Sequence, residues 1–465
     1  MANILHVSAF ALLLAGATGV ISAQDRSHDA THLRQPMPER WTFSQEVTQT
    51  LPSDDPWWKT FDDATLDSLI SMGIDNNYNV SQALHRREIA RLAIRQAQSG
   101  YYPTLGVSAG YTRSHDGRGD DRNAFTAGAS LNWEVDLFGR ITSQVKSKRA
   151  AYDASRAEYV ATMVSITSDI ATYYINYLVL RNEIAVTREH IQSQKRVVEI
   201  AEARHEAGLV SKLDVAQAKT VLYSTQATLP GLQAKASQTL NALATLLGVY
   251  ASDIAPMIKD DAKLPSYQQI LPAGVPANLL RRRPDIAEAE AQLAQDAAAI
   301  GIAKKDFLPV LTLQGTVGWG NDKVNGMFDS NHFTYSIAPT LSWTVFDGFS
   351  RKYALAQAKE QMMSGIDAYN LTVMTAYTEV ENAMTSYNAA VESYDLDNAV
   401  FKQSHEAFEL AMDQYKEGLA AFTNVVNAQI DWLNCANSLV VARGDALIAL
   451  IDLYKALGGS PNEVY

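Results

Sequence analysis

Two stretches of the chain, 141–207 and 351–417, carry apolar residues at a strict seven-residue spacing and are almost free of glycine and proline. Met163, Ile170, Tyr177, Ile184, Ile191 and Val198 mark the first seam. Ile166, Tyr173, Leu180 and Ala201 supply the second seam position, with Thr187 and Gln194 interrupting it. Adding 210 gives the other stretch in the same register: Val373, Val380, Tyr387, Tyr394, Phe401 and Phe408. Ala376, Ala383, Ala390 and Ala411 form its small-residue seam, interrupted by Asp397 and Ser404. A maintained heptad predicts a left-handed coiled coil. At 1.5 Å per residue each helix is roughly 100 Å long, several times an ordinary globular helix.

Each long helix stops at a glycine, Gly208 in EAGLV and Gly418 in EGLAA, as helices often do. Helices then return from about 213 to 247 and from about 423 to 457, so the turns are the far tips of two coiled-coil hairpins, 141–247 and 351–457. The repetition extends beyond the tips. Trp133 matches Trp343, and Leu247-Gly248 matches Leu457-Gly458, again 210 apart. YYPTL at 101–105 resembles FLPVL at 307–311 at an offset of 206, so the segment between is four residues longer in the second copy. The chain therefore divides into a first repeat, 62–248, and a second, 281–458, joined by a Pro-dotted linker at 249–280 and followed by a tail at 459–465. Each repeat opens with a helix, at about 62–99 in the first.

Between that helix and the coiled coil, each copy alternates apolar and small polar residues, the pattern of strands with two different faces. In the first copy this covers a hairpin at 104–136, with Leu105, Val107, Ala109 and Tyr111, then Phe125, Ala127, Ala129, Leu131, Trp133 and Val135 on the apolar face. In the second it covers 310–345, with Leu311, Leu313, Val317 and Trp319, then Tyr335, Ile337, Leu341, Trp343 and Val345. The loops are read at 113–123 and 320–332. Strands of about ten residues, apolar outside and small-polar inside, fit a transmembrane β-barrel with a wet lumen. Four strands cannot close a barrel, for which about eight is the minimum. An open edge in lipid would strand backbone groups at several kcal/mol each. Other copies must complete the barrel, and a homotrimer would give twelve strands. The expected fold class is thus an α+β membrane protein, with aromatic ends (Tyr101, Tyr102, Trp133, Trp343) placed as interfacial girdles. A soluble coiled-coil scaffold would leave these strands unexplained.

The N-terminus reads as a secretory signal peptide over 1–23, with an apolar run from Val7 to Ala23, followed by an extended polar segment over 24–61. A formal net charge of −12 argues against nucleic acid as a partner. The sole cysteine, Cys435, rules out an intrachain disulfide and a multi-cysteine zinc site, and none follows the apolar run for lipid attachment. No histidine motif of a metalloenzyme and no catalytic constellation is present, so neither an enzyme nor a cofactor is expected. GRGDD at 117–121 sits in a hairpin loop rather than between strand and helix, and RRRPD at 281–285 reads as a charged helix start with Pro284 in its first turn.

DDPWWKTFDDATLDSLI (54–70), LPAGVPANLLRRRPDIAEAEAQLAQDAAAIGIAKKDFLPVL (271–311) and the paired tip motifs resemble the outer-membrane factors of Gram-negative bacteria, the TolC/OprM class. The resemblance is greatest to the outer-membrane subunits of RND-type efflux pumps. It implies a homotrimer in the cell outer membrane, whose 12-stranded barrel continues into an α-helical tunnel across the periplasm. It implies a passive exit duct for drugs or other small molecules, driven by an inner-membrane pump through a periplasmic adaptor. An exit duct for secreted proteins is the alternative within the same family. Adaptor docking falls on the tips, here Gly208, Leu209, Ser211, Gly418 and Leu419. The family's periplasmic gate, often aspartates six and nine positions past the second tip glycine, falls on Asn424 and Asn427. Tyr415 matches an aromatic latch position, and Asp431 shares the helix face of the two asparagines. Many pump-type relatives are lipoproteins, from which this chain departs.

Overall fold

A computed structural model describes residues 38, 41, 56–115, 117, 119, 121–259, 263–265 and 282–459. The expected signal peptide, most of the N-terminal segment, much of the linker and the tail beyond Gly459 lie outside the described residues.

The elements follow the order α1 (Ala64–Asn76), α2 (Tyr78–Gln98), β1 (Thr104–His115), β2 (Asp121–Val135), α3 (Arg140–Glu206), α4 (Lys212–Leu246) and the single turn α5 (Ala251–Ile254). Then come α6 (Pro284–Lys305), β3 (Val310–Asn321), β4 (Phe333–Ser342), α7 (Ser350–Lys416) and α8 (Phe422–Ala456). The long helices α3 and α7 have 67 residues each, and the returning helices α4 and α8 have 35 each. Each member of a pair starts 210 positions from the other.

The four strands form one antiparallel sheet in the order β1-β2-β3-β4. Its register gathers side chains by face. Val107, Ala129, Val317 and Tyr335 make one row, and Leu105, Leu131, Gly315 and Ile337 the next. On the other face Gly106, Ser130, Thr316 and Ser336 are neighbours, the last two with hydroxyls 2.7 Å apart. Neither face is covered by another described element, and Val107 is 83% exposed. Alternation of this kind normally buries its apolar side.

Several boundaries differ from the sequence reading. β1 and β2 run further into the first loop, because Arg113 and His115 both reach Asp121 across the ladder, at 2.5 and 2.9 Å. Polar composition there reflects cross-strand charge pairing, not a loop. β4 stops at Ser342, short of the expected 345, since its partner strand begins at Val310, just after Pro309, and offers nothing further to pair with. The N-terminal segment is not extended at its end: Trp57–Phe61 is a 3₁₀ turn that buries Trp57, Trp58 and Phe61. Trp57 stacks on Tyr454, and Trp41 stacks on Tyr377. The helix expected over 62–99 is two helices broken at Asn77. Its side chain caps α2 by accepting from Asn79 and Val80 N–H, while Nδ2 donates to the Leu246 carbonyl at 2.7 Å.

The seam residues of α3 from Met163 to Val198 are buried apart from half-buried Leu180 and from Tyr173, which is 39% exposed while its neighbour Tyr174 is buried instead. Here α1 lies on α3 and turns the covered flank by one residue. Tyr174 donates to Asp63, and Gly73 of α1 leaves no room for a Cβ beside Ile170. Arg283, from the RRRPD stretch, is a structural residue: it flanks Pro284 at the start of α6, pairs with Asp285 and Glu379, and donates to the Ala456 carbonyl at 2.6 Å. Among the described residues no helix is long and apolar enough to cross a membrane.

Candidate functional site at the hairpin tips

Both tips use the same backbone device. Gly208 and Gly418 take φ of +73° and +77°, which lets the next N–H reach back: Leu209 donates to Arg204 O and Leu419 to Gln414 O, at 2.9 and 2.8 Å. The following leucines then project outward, 66% and 80% exposed. The tips differ in how the return helix starts. Ser211 caps α4, accepting from Leu213 N–H and donating to Asp214 at 3.0 Å. Its counterpart before α8 is Ala421, which has no side chain able to cap.

Behind the tips, four helices share one apolar core. Ile191, Val198 and Ala201 of α3 and Val215 and Leu222 of α4 meet Phe408, Met412 and Tyr415 of α7 and Phe422 and Val425 of α8. Tyr415 is 3% exposed, with its ring against Phe422. Burial and the charge of Asp214 raise its hydroxyl above the ordinary tyrosine range, partly offset by Arg204. Arg204 of α3 lies over the Tyr415 ring at 5.0 Å and donates to the Lys416 carbonyl at 2.7 Å. This arginine escaped the sequence reading. Its position four before Gly208 is the one signal that pointed to it.

Asn424, Asn427 and Asp431 fall together on one face of α8, all exposed, opposite the buried Phe422, Val425, Gln429 and Trp432. Asn434 continues that polar stripe by a further turn and was not anticipated. Tyr415 does not join it, facing the core instead.

A second group lies further from the tips. Trp432 is stacked on Phe408 and flanked by His190 of α3 and His405 of α7, with ring centroids 4.1 and 4.8 Å away. His190 is buried with no partner for Nδ1, and burial, with the nearby His405, lowers its pKa to about 4. One turn nearer the tip, Gln194 donates to Thr225 across α3 and α4 at 2.9 Å. Thus one of the two residues that interrupt the heptad carries a buried interhelical hydrogen bond. Among the described residues no cluster of three metal-ligating side chains occurs.

The outer-membrane protein OprJ of Pseudomonas aeruginosa is 29% identical over 92% of this chain and 91% of its own length. The toluene efflux pump outer-membrane protein TtgI of Pseudomonas putida is 28% identical over 97% of each. Among solved structures, the outer-membrane channel OprN superposes with a TM-score of 0.82 at 27% identity, over 92% of this chain and 98% of that one. The family model described as outer membrane efflux protein matches residues 69–249 and 275–459, and the chain belongs to that family.

Proposed function

We propose that this outer-membrane efflux channel works as a homotrimeric, passive exit duct for small molecules. In this reading its tips receive a periplasmic adaptor, and an inner-membrane RND-type pump supplies the driving force. The observation that carries the trimer is a mismatch between the two copies inside one chain. In the second copy α6 packs against both long helices, α3 and α7. Its counterpart α2 packs on α3, and its other side leaves Tyr78, Ile89 and Leu92 exposed. The matching unmet surface is on α7, where Tyr353, Met363, Leu371 and Met374 are more than half exposed. A second copy placed by the internal repeat sets α2 against α7, as α6 lies against α3.

The same operation gives the strand register. The hairpin pairings Leu105↔Leu131 and Leu311↔Leu341 interconvert on adding 206 to β1 and 210 to β2. Applied to the central pairing Val135↔Leu311, it sets Val345 opposite Leu105 of the partner subunit. Residues 343–345 would then gain the ladder they lack in one chain. With Cys435→Ser as background, a Leu105→Cys, Val345→Cys variant should oxidise to covalent dimers and trimers in detergent. No crosslink there, with a monomeric detergent-corrected mass, would end the trimer reading.

Docking at the tips rests on the exposure of Leu209 and Leu419, since apolar residues held outward by a turn fit a partner surface. Leu209→Glu with Leu419→Glu should leave assembly intact and abolish efflux. Undiminished resistance in such cells would remove the tips as the adaptor site.

A further inference from the structure

The junction between barrel and coiled coil is built differently in the two copies. In the first, Lys305 at the end of α6 reaches into the turn before α3, donating to the Gly139 carbonyl at 3.0 Å and the Ser143 hydroxyl at 2.6 Å. Gly139 has φ +75°, and a Cβ there would meet Lys305 Nζ at 3.3 Å. Gly301, one turn back on α6, lies close enough that its own Cβ would stand 3.9 Å from Ser143 Cβ.

In the second copy the position of Gly139 is held by Phe349, also left-handed at φ +70°. An aromatic residue in that region is strained, and strain persists where the surroundings over-determine it; within the chain its ring meets Phe346 edge-on at 5.6 Å, and Lys352 Nζ lies 5.8 Å from it and 6.0 Å from the Tyr353 ring. Ser143 is replaced by Tyr353. Phe349 and Tyr353 are 56% and 66% exposed. The offset of 206 that relates α6 to α2 is supported by matching contacts: Trp343 donates to Phe307 O and Trp133 to Tyr101 O, both at 3.0 Å. It turns Lys305 into Ser99 and Gly301 into Arg95, both exposed at the end of α2.

We propose that Phe349 and Tyr353 form a clasp with a second copy of this chain. Phe349 fills the space beside Ser99 of the partner subunit, which lacks the long side chain whose Nζ stands 3.3 Å from a Cβ placed at Gly139. Tyr353 offers its ring to the guanidinium of Arg95 of the partner subunit, a cation–π pair. A polar clasp within the chain is thereby replaced by an aromatic one between chains. This inference rests on the trimer reading above and uses the same placement of the second copy.

The test uses the full chain in detergent with Cys435→Ser. A Cβ separation near 3.9 Å suits a disulfide, so Arg95→Cys with Tyr353→Cys should crosslink protomers, and neither single variant should. If the Leu105→Cys, Val345→Cys pair crosslinks and this pair does not, the clasp falls and the trimer stands. If neither does, the clasp falls, and with a monomeric detergent-corrected mass the trimer falls too. Phe349→Gly should lower the temperature at which the trimer dissociates in SDS by several degrees; a rise, with strain relieved and nothing lost, would overturn the proposal. A dye on Tyr353→Cys that is quenched by brominated phospholipid would show lipid on this face and overturn it equally.

Discussion

Arg204 and Tyr415 are 211 positions apart in sequence, yet the guanidinium of one lies 5.0 Å over the ring of the other. With the bond from Arg204 to the Lys416 carbonyl, this contact ties the first hairpin tip to the second.

If opening the periplasmic end requires the two hairpins to separate, the tie favours the closed state. The stacked pair and one charge-assisted hydrogen bond are together worth on the order of 2 kcal/mol. Arg204→Ala should raise the open population by roughly tenfold or more, since about 1.4 kcal/mol is a factor of ten. Single-channel recording in planar bilayers checks this, and unchanged conductance would place the restraint elsewhere.

The exposed stripe of Asn424, Asn427 and Asp431 makes a separate prediction. In the proposed homotrimer, threefold symmetry would bring three copies of each toward one axis if that face looks inward. Amides hydrogen-bond across such an axis, at about 1 kcal/mol per net bond. Asn427→Asp and Asn424→Asp would add like charges and loosen closure, so both should conduct more than the wild type and be blocked more strongly by cations. Asp431→Asn should reduce cation preference. Three variants indistinguishable from the wild type would mean that this face does not line the constriction.

His190 gives the tip half an acid limit. Its folded pKa, about 4, lies below the ordinary 6.5, so the folded state resists a proton that the unfolded state accepts. Stability from this group is full above pH 6.5 and falls as pH drops from 6.5 to about 4, levelling off below. The total is about 3 kcal/mol per protomer at 1.36 kcal/mol per unit. Hydrogen-exchange protection factors around 186–194 and 428–436, corrected for the intrinsic pH dependence of exchange, should fall between pH 6.5 and 4.5 in the wild type. His190→Phe should flatten that dependence.

The Gln194–Thr225 bond is buried, so losing one partner matters more than losing both. Thr225→Val alone should cost about 1–3 kcal/mol in thermal unfolding by stranding the Gln194 amide. Gln194→Leu with Thr225→Val should recover much of that. A double variant as unstable as the sum of the singles would mean that the two side chains act separately.

The long helices were legible to within a residue because a seven-residue period tolerates no drift over sixty positions. Strand ends were less so. Arg113, Ser114 and His115 look like loop residues until Asp121 is placed opposite them. The break at Asn77 was hidden because its cap depends on Leu246, 169 positions away. At the tips, glycines and leucines were readable from local pattern, and the polar stripe followed from helical spacing. The Arg204–Tyr415 tie and the His190–Trp432–His405 stack join residues of different helices, and no local periodicity encodes such a meeting.

The matched lengths of α3 and α7, and of α4 and α8, constrain how such a chain can change by insertion. Adding one heptad to the tip half of α3 alone would push one tip beyond the other and move Arg204 away from Tyr415 by roughly 10 Å, given a rise of 1.5 Å per residue. Keeping the tips level would take four insertions together, two in descending helices and two in returning ones. Two hairpins of equal length make the tunnel's reach a quantity that single insertions cannot adjust, and lineages of this protein should lengthen it in fourfold-coordinated steps of whole heptads or not at all.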